Sequence, residues 1–345
     1  MRTLIVAPNW IGDAVMAQPL VALLSRSDPD GTIDALAPPH IAPVLRAMPG
    51  IREVIEFANQ HGRLDMSGRW RIARRLAAQR HDRAFVLPNS LKSAIVPFLA
   101  GIRQRIGWRG EARHLLLNVL HDDREAGKQR PPMVEHYAQL AMPPGRSLPG
   151  PLPNPSLRIE PRRVRDTLAR LGLEDAPLVV LAPGAEYGPA KRWPARHFAA
   201  LANMVADEWP EAAIVLLGSA KERCLATEIA ALSGLPLRNL CGETSLDEAI
   251  ALISHAAGVV SNDSGLMHVA AALGRPQVAL FGSTDPRHTP PRSTRARVQW
   301  LHLECSPCFA RDCPLGHTNC LNDLAPAGAF SALRQTMQLE TAARR

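Results

Sequence analysis

The chain has 345 residues, 46% of them hydrophobic and 21% charged, with aromatics at only 4%. This is the balance of a folded protein with room for two domains, and it excludes a disordered or fibrous chain. The formal charge of +8 is uneven: residues 1–150 hold 20 Lys/Arg against 13 Asp/Glu, and residues 151–345 hold 20 against 19. A basic first half predicts an anionic partner, whether nucleic acid, a phosphorylated lipid or an acidic membrane face, against a plain reading as solubility charge.

Taken in chain order, short apolar runs alternate with helix-length segments. TLIVA (3–7) reads as a strand, DAVMAQPLVALLSRS (13–27) as a helix, TIDALA (32–37) as a strand, IAPVLRAM (41–48) as a short helix and VIEF (54–57) as a strand. RWRIARRLAAQR (69–80) is a basic amphipathic helix; RAFVLP (83–88) is a strand and SLKSAIVPFLAG a helix. The Pro- and Gly-rich stretch AMPPGRSLPGPLPNP (141–155) has no periodicity and reads as an interdomain linker. The pattern then restarts, with helices at 161–173, 197–209, 245–256 and 265–273, strands at 177–184, 212–218, 258–265 and 277–282, and a final helix over 328–345. Ser245 with Glu248 makes a capping box. Repeated βαβ units predict parallel sheets, with a ligand at the carboxyl ends of the strands. No stretch approaches the ~18 apolar residues of a membrane span, and the run after Arg2 ends at Pro8-Asn9, unlike a signal peptide. A cytoplasmic protein is expected, its six cysteines reduced or metal-bound.

The dinucleotide fingerprint GxGxxG and the phosphate loop GxxxxGK[ST] are absent. Four strand-to-helix turns carry polar residues instead: Gly12-Asp13, PGAEYGPAKRWP (183–194), GSAKE (218–222) and SNDSGLMH (261–268). Gly184 and Gly188 beside Lys191-Arg192 suit a phosphate, because permissive backbone exposes N–H groups next to a cation. Asp263, Ser264 and Gly265 open a helix whose unbonded N–H groups can hold a second anion, with His268 one turn on. Glu222 can accept from ribose hydroxyls. Two anion sites in one half suggest a diphosphate or nucleotide, and Asp13 is the acid offered by the other half. It reads both as a helix cap and as a catalytic base.

NWIGDAVMAQP (9–19), PGAEYGPAKRWP and SNDSGLMHVAAALGRPQVALFGSTDP together resemble the ADP-heptose:lipopolysaccharide heptosyltransferases, over nearly the whole chain. That resemblance implies an α/β fold of GT-B type, two Rossmann-like domains with parallel sheets facing across a cleft. Residues 1–155 would bind the acceptor, 156–327 would bind the nucleotide sugar, and a last helix, 328–345, would pack back on the first domain. The acceptor implied is an anionic, membrane-held Kdo2-lipid A inner core carrying a first heptose, which suits the basic half; the enzyme would be peripheral to the inner membrane and monomeric. Asp13 becomes the general base and Lys191 the contact to the diphosphate. Gly184, Glu186, Tyr187, Glu222, Asp263, Ser264, Gly265, Met267 and His268 fall on the donor side, and Asn9 and Gly12 on the acceptor side.

The chemistry fits those residues. Breaking the anomeric C–O bond leaves a negative ADP, which Lys191, helix N–H groups and Ser264 can stabilise without a metal cofactor. A single carboxylate that takes the acceptor proton contributes roughly 10²–10⁴-fold, and in-line attack inverts the anomeric centre. A nucleotide-sugar 2-epimerase could share the architecture but would not need a basic acceptor half. A nucleic-acid module lacks stacking aromatics, with 2 Tyr and 7 Phe in the chain. Cys305, Cys308, Cys313 and Cys320, spaced C-x2-C-x4-C-x6-C around His317, are a zinc candidate, weighed against plain thiols in a Pro-rich loop.

Overall fold

The computed structural model describes residues 1–58, 64–122 and 131–343, with side-chain detail to residue 338. The chain divides after Pro155 into two units, Met1–Pro155 and Ser156–Arg345. In the first unit, β1 (Arg2–Val6) leads to α1 (Ile11–Met16) and α2 (Gln18–Ser27). Then follow β2 (Thr32–Ala37), α3 (Ala42–Arg46), β3 (Ile51–Glu56), α4 (Met66–Gln79), β4 (Arg83–Val86) and α5 (Leu91–Leu99), and last β5 (Gln104–Trp108), β6 (Val119–His121) and α6 (Met133–Ala138). The second unit runs α7 (Pro161–Leu171), β7 (Leu178–Ala182), α8 (Ala195–Glu208), β8 (Ala213–Leu216), α9 (Arg223–Ser233), β9 (Arg238–Asn239), α10 (Leu246–His255), β10 (Gly258–Asn262) and α11 (Gly265–Ala272). It closes with β11 (Gln277–Phe281), β12 (Ala296–Trp300), α12 (Asn319–Asn322) and α13 (Pro326–Ala343).

Each unit is one six-stranded parallel sheet. The orders are β3-β2-β1-β4-β5-β6 and β12-β11-β10-β7-β8-β9. The order reverses between β1 and β4 in one sheet and between β7 and β10 in the other, so each sheet has a topological switch point at its carboxyl edge. The central strands are almost wholly apolar because helices cover both faces: β7, LVVLA, and β11, QVALF, are buried at every position.

The expected helix over 13–27 is two helices. Pro19 has no N–H to give the carbonyl four residues back, and its ring crowds that turn, so the ladder breaks at Ala17. The capping box at Ser245 forms as expected, Glu248 Oε2 accepting from the Ser245 N–H at 2.8 Å. Sequence reading passed over β5, β6, β9 and β12. They are edge or near-edge strands, short and partly polar (ARVQW for β12), with no apolar run to mark them.

α13 belongs to the second unit, where Ala329 and Leu333 are buried in the core with Val260, Val278 and Leu201. It lies so close to β10 that a Cβ on Gly258 would fall 2.8 Å from Leu333 and 2.9 Å from Met337. Residues 344–345 of the expected span lie outside the described residues. Leu333→Ala should cost about 2–5 kcal/mol, and hydrogen exchange should show the lost protection in β10 and β11 of the second sheet.

Candidate active site

In the first unit the turn after β1 carries Asn9, Gly12 and Asp13 to the carboxyl edge beside the switch point. Asp13 is not the cap. Helix α1 begins two residues earlier, with Trp10 at the capping position and no side-chain cap bond, so Asp13 stands inside the first turn. There its carboxylate feels the positive end of only a short helix. Its local partner is Tyr137 from α6, whose phenol hydrogen-bonds to it. Burial, then the Asp13 charge and that bond, hold the Tyr137 phenol well above its ordinary value of 10.0, so it remains a donor to the carboxylate. Tyr137 is 5% exposed. Its neighbour His136 stacks on Trp108, with ring centroids 4.3 Å apart, and its backbone carbonyl accepts the Trp108 Nε1–H at 3.1 Å. Trp108 is held in turn by buried Arg113, which reaches its carbonyl at 3.0 Å and the Asn89 amide oxygen at 2.8 Å. Sequence reading missed Tyr137, because the assignment stopped short of α6.

In the second unit the turns after β7, β8, β10 and β11 share the carboxyl edge. Lys191 Nζ donates to Asp263 Oδ2 at 2.5 Å, and Thr284 Oγ1 donates to the same oxygen at 2.6 Å. Asp263 is nearly buried and the Lys191 side chain 14% exposed. Lys191 also lies over the Tyr187 ring, 5.0 Å from its centroid. An ammonium has three donors, so pairing with Asp263 leaves two for an anion. Ser264 stands at the N-cap position of α11 with no side-chain cap bond, and Gly265 opens the helix. Burial depresses the His268 imidazole to about 4, with the charge of Lys191 pushing the same way and that of Asp263 opposing, so it is neutral at pH 7.

Two glycines are required by close approach. A Cβ on Gly188 would lie 2.4 Å from the Arg311 carbonyl oxygen, and one on Gly184 would lie 2.7 Å from the Glu222 carboxyl carbon. Glu222 is buried beneath that turn: its Oε2 accepts the Ser219 N–H at 2.7 Å in a capping box, while Oε1 faces Gly184. Glu186 pairs with Lys221 at the surface, and the Tyr187 hydroxyl donates to the Phe309 carbonyl at 2.7 Å. The Met267 side chain is fully buried against Ala279 and Phe281, so only its backbone, in the first turn of α11, is left for a ligand. Asn262 and Thr284 were missed. An amide at the end of an otherwise buried strand, and a hydroxyl just past the neighbouring strand, were the signals available.

Two doubly wound units, one presenting an acid at its switch point and the other a lysine and a helix N-terminus, define a glycosyltransferase of GT-B type. The model of glycosyltransferase family 9 (heptosyltransferase) matches residues 69–319. The lipopolysaccharide heptosyltransferase 2 of Escherichia coli K12 is 42% identical over 99% of this chain and 100% of its own. The lipooligosaccharide heptosyltransferase 2 of Haemophilus influenzae is 39% identical over 98% and 99%. The solved structure of E. coli ADP-heptose lipopolysaccharide heptosyltransferase II superposes with a TM-score of 0.87 at 40% identity, covering 99% of this chain and 100% of that one. The chain belongs to glycosyltransferase family 9, and the 2-epimerase and nucleic-acid readings fall away.

The His268 environment has a pH signature. Its folded value of about 4 lies below the ordinary 6.5, so between these the unfolded chain binds the extra proton and stability rises with pH. His268→Gln should flatten that rise, as read from denaturant unfolding at a series of pH values. Separately, Gly188→Ala should push the Lys191 turn off Arg311 and weaken ADP binding at least several-fold with the fold intact, as measured by calorimetry.

Proposed function

We propose that the chain transfers L-glycero-D-manno-heptose from ADP-heptose to the first heptose of a Kdo2-lipid A inner core, inverting the anomeric centre. The carrying observation is the Lys191–Asp263–Thr284 cluster beside the start of α11, in a chain 42% identical along its length to a heptosyltransferase 2. The diphosphate takes the two remaining Lys191 donors and the first N–H groups of α11, which offset the charge that grows as the anomeric bond breaks. Glu222, through Oε1, receives the ribose hydroxyls. Neutral His268 contributes a hydrogen bond rather than a charge. Asp13 takes the proton of the acceptor hydroxyl, and Tyr137 fixes the carboxylate in place for it.

The acceptor is anionic and lipid-anchored, and we place the enzyme at the cytoplasmic face of the inner membrane. On α4, Arg71, Arg74 and Arg75 share the exposed side with Trp70, which is 55% exposed and carries Arg74 over its ring at 4.8 Å. That combination suits phosphate groups at a lipid surface. No helix among the described residues is long and apolar enough to cross a membrane.

An assay with ADP-heptose and two acceptors, Kdo2-lipid A with and without one heptose, tests the reading. Transfer to the heptose-bearing acceptor alone is expected; transfer to the bare acceptor alone means the first heptose is added instead, and no transfer to either ends the proposal. Asp13→Asn should lower turnover roughly 10²–10⁴-fold and leave ADP affinity unchanged, while Tyr137→Phe should shift the acid limb of the kcat profile. Retained anomeric configuration in the product would rule out the single-base mechanism.

A further inference from the structure

The segment from Leu301 to Asn319 has almost no core of its own. Ser306 is its one buried residue, and His302, Phe309 and Thr318 adopt left-handed backbone that non-glycine residues seldom take. Yet it holds the donor side together. The Phe309 carbonyl accepts the Tyr187 hydroxyl at 2.7 Å, and the Arg311 carbonyl accepts the Ala190 N–H at 3.0 Å. The Phe309 N–H donates to Ser283 O at 2.7 Å, next to Thr284. A loop that positions two turns of a site needs a fastening, and hydrophobic burial does not supply it.

Four cysteines stand where that fastening belongs. Cys305, Cys308, Cys313 and Cys320 all line one cavity of about 20 Å³, room for a single water-sized body. All four are free thiols. Cys305 and Cys308 are exposed and Cys320 is buried, so the set closes the cavity from the solvent side and from the core. Cys313 Sγ accepts from the Thr318 N–H at 3.4 Å, and the N–H groups of Leu315, Gly316 and His317 face the same sulfur. Ser283, which also lines the cavity, is 1% exposed and its hydroxyl has no partner. His317 is not a fifth candidate: its Nδ1 is already taken by the Asn319 N–H at 3.0 Å.

We infer that Cys305, Cys308, Cys313 and Cys320 bind one zinc ion as a tetrahedral four-thiolate site that fastens the donor-side loops. Zinc follows from the donor set, since four soft sulfurs with no oxygen suit it and exclude magnesium or calcium. Among the described residues no three Cys, His, Asp or Glu side chains already form a ready-made metal site, so the site forms only as the ion gathers the four thiols that line the cavity. Each thiol gives up its proton to solvent as its Zn–S bond forms. The ion is structural and takes no part in the transfer, so this inference stands apart from the heptosyl reading.

Elemental analysis of protein purified without a metal-affinity tag should find one zinc per chain. Alkylation followed by mass spectrometry should find exposed Cys224 labelled at once, but Cys305 and Cys308 protected until a strong chelator is added, after which ADP affinity falls several-fold. Cys224→Ser should keep the full zinc content and Cys308→Ser should lose it. Where Cys308→Ser fails to fold, cobalt substitution of the wild-type chain should give the intense visible bands of a tetrahedral cobalt thiolate. Metal-free protein in which Cys305 and Cys308 label as fast as Cys224, with or without chelator, overturns the site; stoichiometric iron in place of zinc overturns the choice of ion.

Discussion

The Asn262 side chain accepts the Trp193 N–H at 3.0 Å and donates to the Pro183 carbonyl at 2.7 Å, with no exposure to solvent. Those two bonds tie the end of β10 to both ends of the long turn after β7, across the switch point of the second sheet. An amide suits the place because it offers one acceptor and one donor on opposite atoms, and a buried polar group left unpaired costs about 1–3 kcal/mol. With the turn anchored at Pro183 and at Trp193, whose indole donates to Leu324 O at 2.8 Å, Lys191 has little freedom left. Its pairing with Asp263 follows from that geometry. Ion pairs this deep add little net stability, but breaking one leaves an uncompensated charge at a cost of about 3–5 kcal/mol. The pair therefore selects one arrangement of the turn, and a cation is fixed there before any ligand arrives.

The first unit sets its acid in a different way. The Tyr137 phenol donates a hydrogen bond to Asp13 and brings no charge of its own. The phenol is itself fixed through His136, Trp108 and Arg113, a chain of contacts that reaches the loop after β4 on the other side of the switch point. The nearest full positive charge in that chain, Arg113, is directed at carbonyl and amide oxygens. Burial, its largest influence, eases the guanidinium below its usual range.

Much of this was legible in the residue pattern. The strands of both sheet centres are continuous apolar runs, and the turns that follow them hold Asp13, Gly184, Lys191 and Asp263 at the places the structure confirms as carboxyl edges. What could not be read depends on distance in three dimensions. That Lys191 meets Asp263 requires the β7–β10 pairing, 72 residues apart in sequence. Tyr137 becomes a partner of Asp13 only once α6 is seated, and α6 follows strands whose polar, edge character hid them. That the Met267 side chain joins Phe281 in the core likewise depends on how α11 seats against β11.

The placement of α13 has a consequence for biosynthesis. Every strand of the first sheet comes from residues before Pro155, and the last helix of the chain completes the core of the second unit. The first sheet is thus complete before the second begins, and it can form while the ribosome is still making the second. The second has no such advantage. Its central strand β10 keeps Gly258 bare for a helix that follows every strand of that sheet in sequence, so the nascent second unit exposes an apolar groove until α13 has been made. A ribosome that stalls before α13 would release a chain with a finished first sheet and an unfinished, aggregation-prone second unit.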